Sequence, residues 1–180
     1  MRQDKTVQFV CFETILDSEQ FITQWEHFTR SANSDVDVTL QQSEKNGVFK
    51  YVAQHRYAAG EFQFVFTKAT RSSRTPEVEI KAKQAGGYSI LQLERSTDAR
   101  ADESKIFAFL VNSQTDLSAY KQLTSVAKLN IYEAYYENCQ YAYILEYFVK
   151  NKNAAELIEQ LKLLEPSEVR IYKECILQVS

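Results

Sequence analysis

The stretch FKYVAQHRY, residues 49–57, is the part of the sequence from which the fold can be built outward. Because side chains alternate between the two faces of a strand, it predicts a strand with one aromatic face and one mixed face. The aromatic face carries Phe49, Tyr51, Ala53, His55 and Tyr57. The mixed face carries Lys50, Val52, Gln54 and Arg56. Aromatic rings beside one of the two histidines of the sequence make this strand the first candidate for a site.

The residues before this strand predict another strand followed by a helix. Val7–Leu16 is almost continuously apolar, which is typical of a strand covered on both faces at the centre of a sheet. Asp17 and Gln20 have the spacing of a capping box, so a helix should begin there. The spacing of Phe21, Trp25 and Phe28 places them on one apolar side of this helix.

A hairpin is predicted next. Val36–Gln42 alternates apolar and polar residues, and Asn46-Gly47 is a pair favoured in tight turns. The strand at 49–57 should therefore return antiparallel to Val36–Gln42. The order of elements up to this point is β-α-β-β.

The rest of the first half is expected to complete a β-α-β-β-α-β unit. Residues 61–72 fit both strand and helix spacing, and we interpret them as a helix because a helix completes the unit. Glu77–Gln84 then predicts a strand, Ala85–Gly87 a turn, and Tyr88–Leu93 a further strand.

The second half repeats this order after a polar linker. The predicted elements are a strand at Ile106–Val111, a helix capped by Thr115 or Asp116 and running through Ala127, a hairpin of Ile131–Tyr136 with Tyr141–Val149, a helix capped by Asn153 and stopped by Pro166, and a strand at Val169–Val179. The sequence therefore predicts an α+β protein of two ferredoxin-like repeats, residues 1–94 and 105–180, joined by a linker at 95–104.

Composition narrows the classes of function. The formal net charge is −3, which disfavours a nucleic-acid partner or an anionic membrane, and no apolar run is long enough to span a bilayer. Cys11, Cys139 and Cys175 are far apart and lack a Cys-x-x-Cys pair, so neither a disulfide framework nor a metal site is predicted. These features predict a cytoplasmic protein.

Two ferredoxin-like units whose sheets face each other resemble the dimeric α+β barrel group, which includes the antibiotic-biosynthesis-monooxygenase-like proteins. Here the two subunits would be fused into one pseudo-dimeric barrel. The local features that carry the resemblance are the helix with Trp25, the strand FKYVAQHRY and the run Gln84–Tyr88. Members of the group include cofactor-independent oxygenases, isomerases and haem-degrading enzymes, and their pocket commonly lies between sheet and helices.

The resemblance implies a site in the first half. His55 would be its catalytic residue, since an imidazole with a near-neutral pKa could take a proton from a phenolic or enolisable substrate. The walls of the ligand pocket would be formed by Trp25, Phe28, Tyr51 and Tyr57. The same aromatic residues could instead be ordinary core. The Asn/Trp/His set of the haem-degrading members cannot be aligned here, so no cofactor is predicted.

The sequence and this resemblance together predict a small-molecule-binding α+β barrel with cofactor-independent monooxygenase or isomerase-like chemistry. The alternative is a non-enzymatic ligand-binding or protein-interaction module. Recognition of RNA through Phe49 and Tyr51 is disfavoured by the net charge and by the lack of a matching first-strand motif. The expected partner is a small organic molecule. The chain would be a monomer with internal pseudo-symmetry or a homodimer.

Overall fold

The structure is a computed structural model that describes residues 6–14, 16–23, 25, 37–43, 51–57, 80–95, 99–135 and 139–175. These residues form eight strands: β1 (Thr6–Thr14), β2 (Asp37–Ser43), β3 (Tyr51–Tyr57), β4 (Ile80–Leu93), β5 (Glu103–Leu110), β6 (Ala127–Ala134), β7 (Tyr143–Lys150) and β8 (Glu168–Cys175). The strands close into a barrel in the order β1-β3-β2-β8-β5-β7-β6-β4. Each neighbouring pair is antiparallel.

In the described residues, three helices lie between strands of the barrel in the chain order. The first helix, α1, covers residues 18–23 and 25. Helix α2 is Ser118–Gln122, continued by a 3-10 turn at Leu123–Ser125. Helix α3 is Ala154–Leu163, preceded by a 3-10 turn at Asn151–Asn153. In the part of the chain that the structure describes, no helix is long and apolar enough to cross a membrane.

The strand order has the same pattern in each half of the chain. Strands β4-β1-β3-β2 and strands β8-β5-β7-β6 both run fourth, first, third, second in chain order. The two groups join where β2 pairs with β8 and where β4 pairs with β6. The predicted α+β class and the barrel are confirmed, and β1 lies centrally in its group as its apolar sequence predicts.

Helix α1 begins at the predicted capping box. The backbone N–H of Gln20 donates to Asp17 Oδ1 at 2.9 Å, and the backbone N–H of Asp17 donates to Gln20 Oε1 at 3.4 Å. The reciprocal bonds satisfy backbone donors that a helix start leaves unpaired. They fix where α1 leaves the end of β1.

The barrel interior is lined by one face of every strand. On β5 this face carries Phe107 and Phe109, and on β3 it carries Val52. Phe9 of β1 meets three interior rings edge-on, with centroids 4.9–6.1 Å apart, and two of those rings belong to the second half. Both halves therefore share one interior core.

A second apolar core lies on the outer face of the second half. It takes the alternate residues of β5 and β7, such as Ile106 and Leu145, and covers them with Leu157 and Leu161 of α3. Tyr120 of α2 joins this core, and its hydroxyl donates to the Leu164 carbonyl at 2.9 Å. Strand alternation thus separates an inner layer from an outer, helix-covered layer.

The turn predicted at Ala85–Gly87 is wrong, because β4 runs continuously from Ile80 to Leu93. At Gly86, the lack of a side chain instead allows Tyr88 and Cys139 to lie close to the backbone. A Cβ atom at Gly86 would lie 3.0 Å from the ring of Tyr88 and 3.1 Å from Cys139 Sγ. A glycine inside a strand often marks such a contact.

Two further expectations in the second half are corrected. Ala127 does not continue α2, since it pairs with Val149 as the first residue of β6. Asn153 makes no side-chain capping bond and lies in the 3-10 turn before α3. The N-cap residue of α2 is Leu117, and Asp116 Oδ1 accepts the backbone N–H of Ser118, the first residue of the helix, at 2.9 Å. The predicted helix at 61–72 and the turn at Asn46-Gly47 lie outside the described residues.

Candidate functional site

The predicted aromatic site contains three stacked rings. Tyr51 of β3 stacks on Phe21 of α1 with a centroid distance of 3.8 Å and an interplanar angle of 12°. Trp25 lies nearly parallel to Phe21, with centroids 6.3 Å apart. All three side chains are buried. Tyr51, on the aromatic face of β3, is therefore covered by Phe21 of α1.

The other predicted site residues are only partly described. The backbone of His55 lies in β3, opposite Gln8 of β1 and Val38 of β2. Tyr57 lies two residues further along the same strand, opposite Thr6. The side chains of His55 and Tyr57, and the whole of Phe28, fall outside the part that the structure describes. Their role as a site stays a prediction.

A second candidate lies inside the barrel, where polar side chains from both halves meet. We call these residues the Glu146 cluster. Its members are Thr39, Gln41, Gln54, Lys105, Asn130, Tyr132 and Glu146, all buried. They lie on strand faces that point inward: Gln54 shares its face with Val52, and Glu146 shares its face with Ile144.

Glu146 is at the centre of this cluster. Its Oε1 lies 3.2 Å from Lys105 Nζ and accepts a hydrogen bond of 3.2 Å from Gln54 Nε2. Its Oε2 accepts the Tyr132 hydroxyl at 2.6 Å and Asn130 Nδ2 at 3.0 Å. Three hydrogen-bond donors and the Lys105 ammonium therefore surround the carboxylate of Glu146, whose side chain is 0% exposed. Hydrogen bonds and a counter-ion of this kind offset the cost of burying a carboxylate.

From Glu146 the hydrogen bonds extend to β2. Gln54 Oε1 accepts the Thr39 hydroxyl and Gln41 Nε2, each at 3.0 Å. Gln41 Nε2 also donates to Thr39 Oγ1 at 2.9 Å. Gln41 Oε1 is fully buried and has no hydrogen-bond partner among the described residues. The cluster thus ends at a buried acceptor.

Asn130 fixes the cluster to the end of β4. Its Oδ1 accepts the backbone N–H groups of Glu94 and Arg95, each at 3.0 Å. Its Nδ2 donates to the Arg95 carbonyl at 2.8 Å as well as to Glu146. One amide therefore links the chain after β4 to the central carboxylate.

A second ion pair lies at this end of the barrel. Arg95 Nη1 lies 2.5 Å from Glu103 Oε2, and the Arg95 guanidinium lies over the Phe148 ring, 4.8 Å from its centroid. Lys105 Nζ is 5.3 Å from the centroid of the same ring. Desolvation acts to raise the pKa of Glu103, but hydrogen bonds from the Arg100 backbone and from Arg95 outweigh it and lower that pKa. The cations of Arg95 and Lys105 therefore both lie near the Phe148 ring, and each is paired with a carboxylate.

The described residues offer little to a metal or a haem. They contain no group of three or more His, Cys, Asp or Glu residues that could hold a metal ion. Desolvation raises the pKa of the buried Cys11 thiol, which keeps it protonated. The second half has no histidine, and its space between sheet and helices is filled by apolar side chains. The described residues of that half do not fit a histidine-ligated haem.

The Glu146 cluster is not among the sites predicted from the sequence. Glu146 is paired with Lys105 in the interior of the barrel. The one available signal in the sequence is that Glu146 interrupts an apolar face of the predicted strand Tyr141–Val149, whereas Lys105 precedes the predicted strand Ile106–Val111. Which faces point inward follows from barrel closure, which no local pattern reveals.

Comparison with known proteins supports the architecture. No protein-family model matches the chain, and no curated protein matches it. Among solved structures, it is similar to the chlorite dismutase from Candidatus Nitrospira defluvii in complex with imidazole, with a TM-score of 0.59 at 6% identity over 98% of this chain and 93% of that one. The chlorite dismutase-like protein TA0507 gives 0.59 at 9% identity, covering 96% and 95%. At these identities the likeness extends to the fold alone.

Proposed function

We propose that this protein binds a small organic molecule, and that the Glu146 cluster inside the barrel recognises it. The observation that carries this proposal is the buried pair of Glu146 and Lys105. Replacing a buried ion pair by apolar residues often costs nothing or stabilises a protein, so stability alone is a weak reason to keep one. A preorganised polar group in an apolar barrel is typical of a small-molecule site.

Proton transfer is the reaction class that this set supports. The Tyr132 hydroxyl lies 2.6 Å from Glu146 Oε2, and Lys105 Nζ lies 3.2 Å from Oε1. A hydroxyl, an ammonium and a carboxylate in contact can exchange protons with a bound substrate without a cofactor. Isomerase-type chemistry needs no more than this. A cofactor-independent oxygenase would additionally need dioxygen after the substrate loses a proton. Ligand binding without turnover is the alternative.

The proposal predicts that Tyr132 contributes to ligand binding. In a thermal-shift screen of small organic compounds, ligands that stabilise the wild type should stabilise Tyr132→Phe less, because the variant lacks the hydroxyl at Glu146. One lost hydrogen bond should weaken binding about tenfold. Tyr88→Phe is the matched control, since Tyr88 is an interior tyrosine whose hydroxyl donates to the Tyr141 carbonyl, outside the cluster.

Equal ligand-induced shifts in wild type and Tyr132→Phe would contradict the proposal. A library without any stabilising compound would favour a structural role, in which the cluster only joins the two halves. Mass spectrometry of the recovered ligand separates turnover from binding, because only an enzyme releases an altered compound.

The aromatic face of β3 is a second candidate for the ligand site. The observation in its favour is that Trp25 of α1 is buried, as is Tyr51 of β3, the strand that carries His55. If the site lies there, His55→Ala should reduce turnover at least about a hundredfold, since a general base contributes that much. His27→Ala is the control, as the other histidine of the sequence. Unchanged turnover in His55→Ala would remove His55 from the chemistry.

The two halves are proposed to be ferredoxin-like repeats that form an intramolecular pseudo-dimer. The matching strand order of β4-β1-β3-β2 and β8-β5-β7-β6 supports this interpretation. A fused pair closes its own barrel, so we expect a monomer in solution, with a homodimer as the alternative.

A further inference from the structure

Gln41 lies where β2 joins the second half of the barrel. Its register partners are Val52 of β3 and Glu174 of β8. Its side chain is 0% exposed, and Oε1 has no partner among the described residues. An acceptor that is buried without a hydrogen bond loses its contact with water and gains nothing in return, so a group in this position calls for an explanation.

The donors and acceptors along the chain of hydrogen bonds from Glu146 explain why Gln41 Oε1 is the atom without a partner. Glu146 as a carboxylate only accepts, so Gln54 must turn its Nε2 toward it and its Oε1 toward β2. Gln54 Oε1 then requires donors, and Gln41 supplies its Nε2. A reversed Gln41 amide would bring two carbonyl oxygens together. The carboxylate therefore determines which atom of Gln41 is left over.

We infer that the molecule bound in the barrel presents a neutral hydrogen-bond donor, a hydroxyl or an amide N–H, to Gln41 Oε1. This inference rests on the proposed function, and it names the chemical class of the ligand. An anionic group has no donor to offer there. A cationic group would add a buried charge without a counter-ion, because Glu146 is already paired with Lys105.

The surroundings of the acceptor favour an aromatic ligand. Tyr172 of β8 lies two residues from the register partner of Gln41, and its ring meets Phe107 edge-on at 5.3 Å. The Tyr132 hydroxyl donates to Glu146 Oε2, and the centroid of the Tyr132 ring lies 4.9 Å from that of Phe9. Aromatic side chains in the same interior as a single acceptor suit a flat, phenol-like compound.

Calorimetric titration with phenol and with anisole tests the inference. Both probes have a similar ring, but anisole carries a methyl group in place of the hydroxyl hydrogen. Phenol should bind the wild type at least about tenfold more tightly than anisole, which cannot donate to Gln41. Gln41→Met removes the acceptor at similar volume and should bring phenol binding down to the level of anisole.

Gln42→Met is the matched control, because Gln42 lies on the opposite face of β2 and donates to Ser18 Oγ. It should bind phenol as the wild type does. Equal binding of phenol and anisole to the wild type, or phenol binding that Gln41→Met does not change, would overturn the inference and leave the proposed function standing. Binding of neither probe would also overturn it, as expected of an interior that admits only water. The screen with Tyr132→Phe judges the proposed function separately.

Discussion

Replacing Glu146 by leucine is expected to lower the free energy of unfolding by about 3–5 kcal/mol, among the largest effects of any single substitution here. The variant leaves the Lys105 ammonium buried without its carboxylate, at a position that is 1% exposed. It also removes the acceptor of Tyr132, Asn130 and Gln54. Urea denaturation followed by circular dichroism measures the loss.

The double variant Lys105→Met/Glu146→Leu should be more stable than the sum of its single changes predicts. Removing both charges leaves none uncompensated, so the coupling should be about 1–3 kcal/mol. Glu159→Leu is the control, because Glu159 forms an exposed pair with Lys162 and its loss should change stability by less than about 1 kcal/mol. Strictly additive effects would show that Lys105 and Glu146 do not stabilise each other.

Truncating Phe9 to alanine is expected to lower the free energy of unfolding by about 3–5 kcal/mol. Phe9 is 1% exposed, and its ring meets Tyr88 of the first half and Phe107 and Tyr132 of the second. The cavity left behind would open in the core that both halves share. Leu163→Ala is the control, since Leu163 is 83% exposed and should lose no more than about 0.5 kcal/mol.

Two optical probes show whether this core joins the halves into one unit. Trp25 is the single tryptophan of the sequence and lies in the first half, so its fluorescence follows that half. Circular dichroism follows the whole chain. In wild type and in Phe9→Ala the two transitions should coincide, because a shared core unfolds cooperatively. Separate transitions in the wild type would contradict the single interior core.

The Glu146 cluster also constrains how the halves fit together. Gln54 belongs to β3 and Glu146 to β7, which lie on different sides of the barrel, and 92 residues separate them in the chain. Their hydrogen bond forms at one register of the strands, since a shift of one residue would turn each side chain outward. A polar network inside an apolar barrel can therefore fix the register as well as bind a ligand.

Structural features that depend on residues close together in the chain were predicted correctly from the sequence. The capping box of Asp17 and Gln20 forms as its spacing predicts, and the antiparallel return of β3 onto β2 is confirmed. Errors arose where tertiary contacts overrode a local signal. Gly86 predicted a turn but lies within β4, where it pairs with Phe9 of β1, and the ring of Tyr88 and Cys139 Sγ lie where a side chain would be.

The candidate site also has one part that follows from local sequence patterns and one part that does not. The contact of Tyr51 with α1 follows from two periodic patterns, since an aromatic strand face and an aromatic helix stripe must bury each other. The role of Gln54 and Gln41 could not be derived in this way. Their alternation identifies a face, but only the closed barrel makes that face an interior.

The sequence by itself determined the types of the elements that the structure confirms, because periodicity and capping act over a few residues. It also determined that β1 would be central in its group of strands. Only the tertiary structure decided where Lys105, Glu146 and Gln41 meet. Their approach depends on the pairing of β2 with β8 and of β4 with β6, which joins strands distant in the chain. Long-range pairing sets that geometry, and it left Gln41 Oε1 as a buried acceptor.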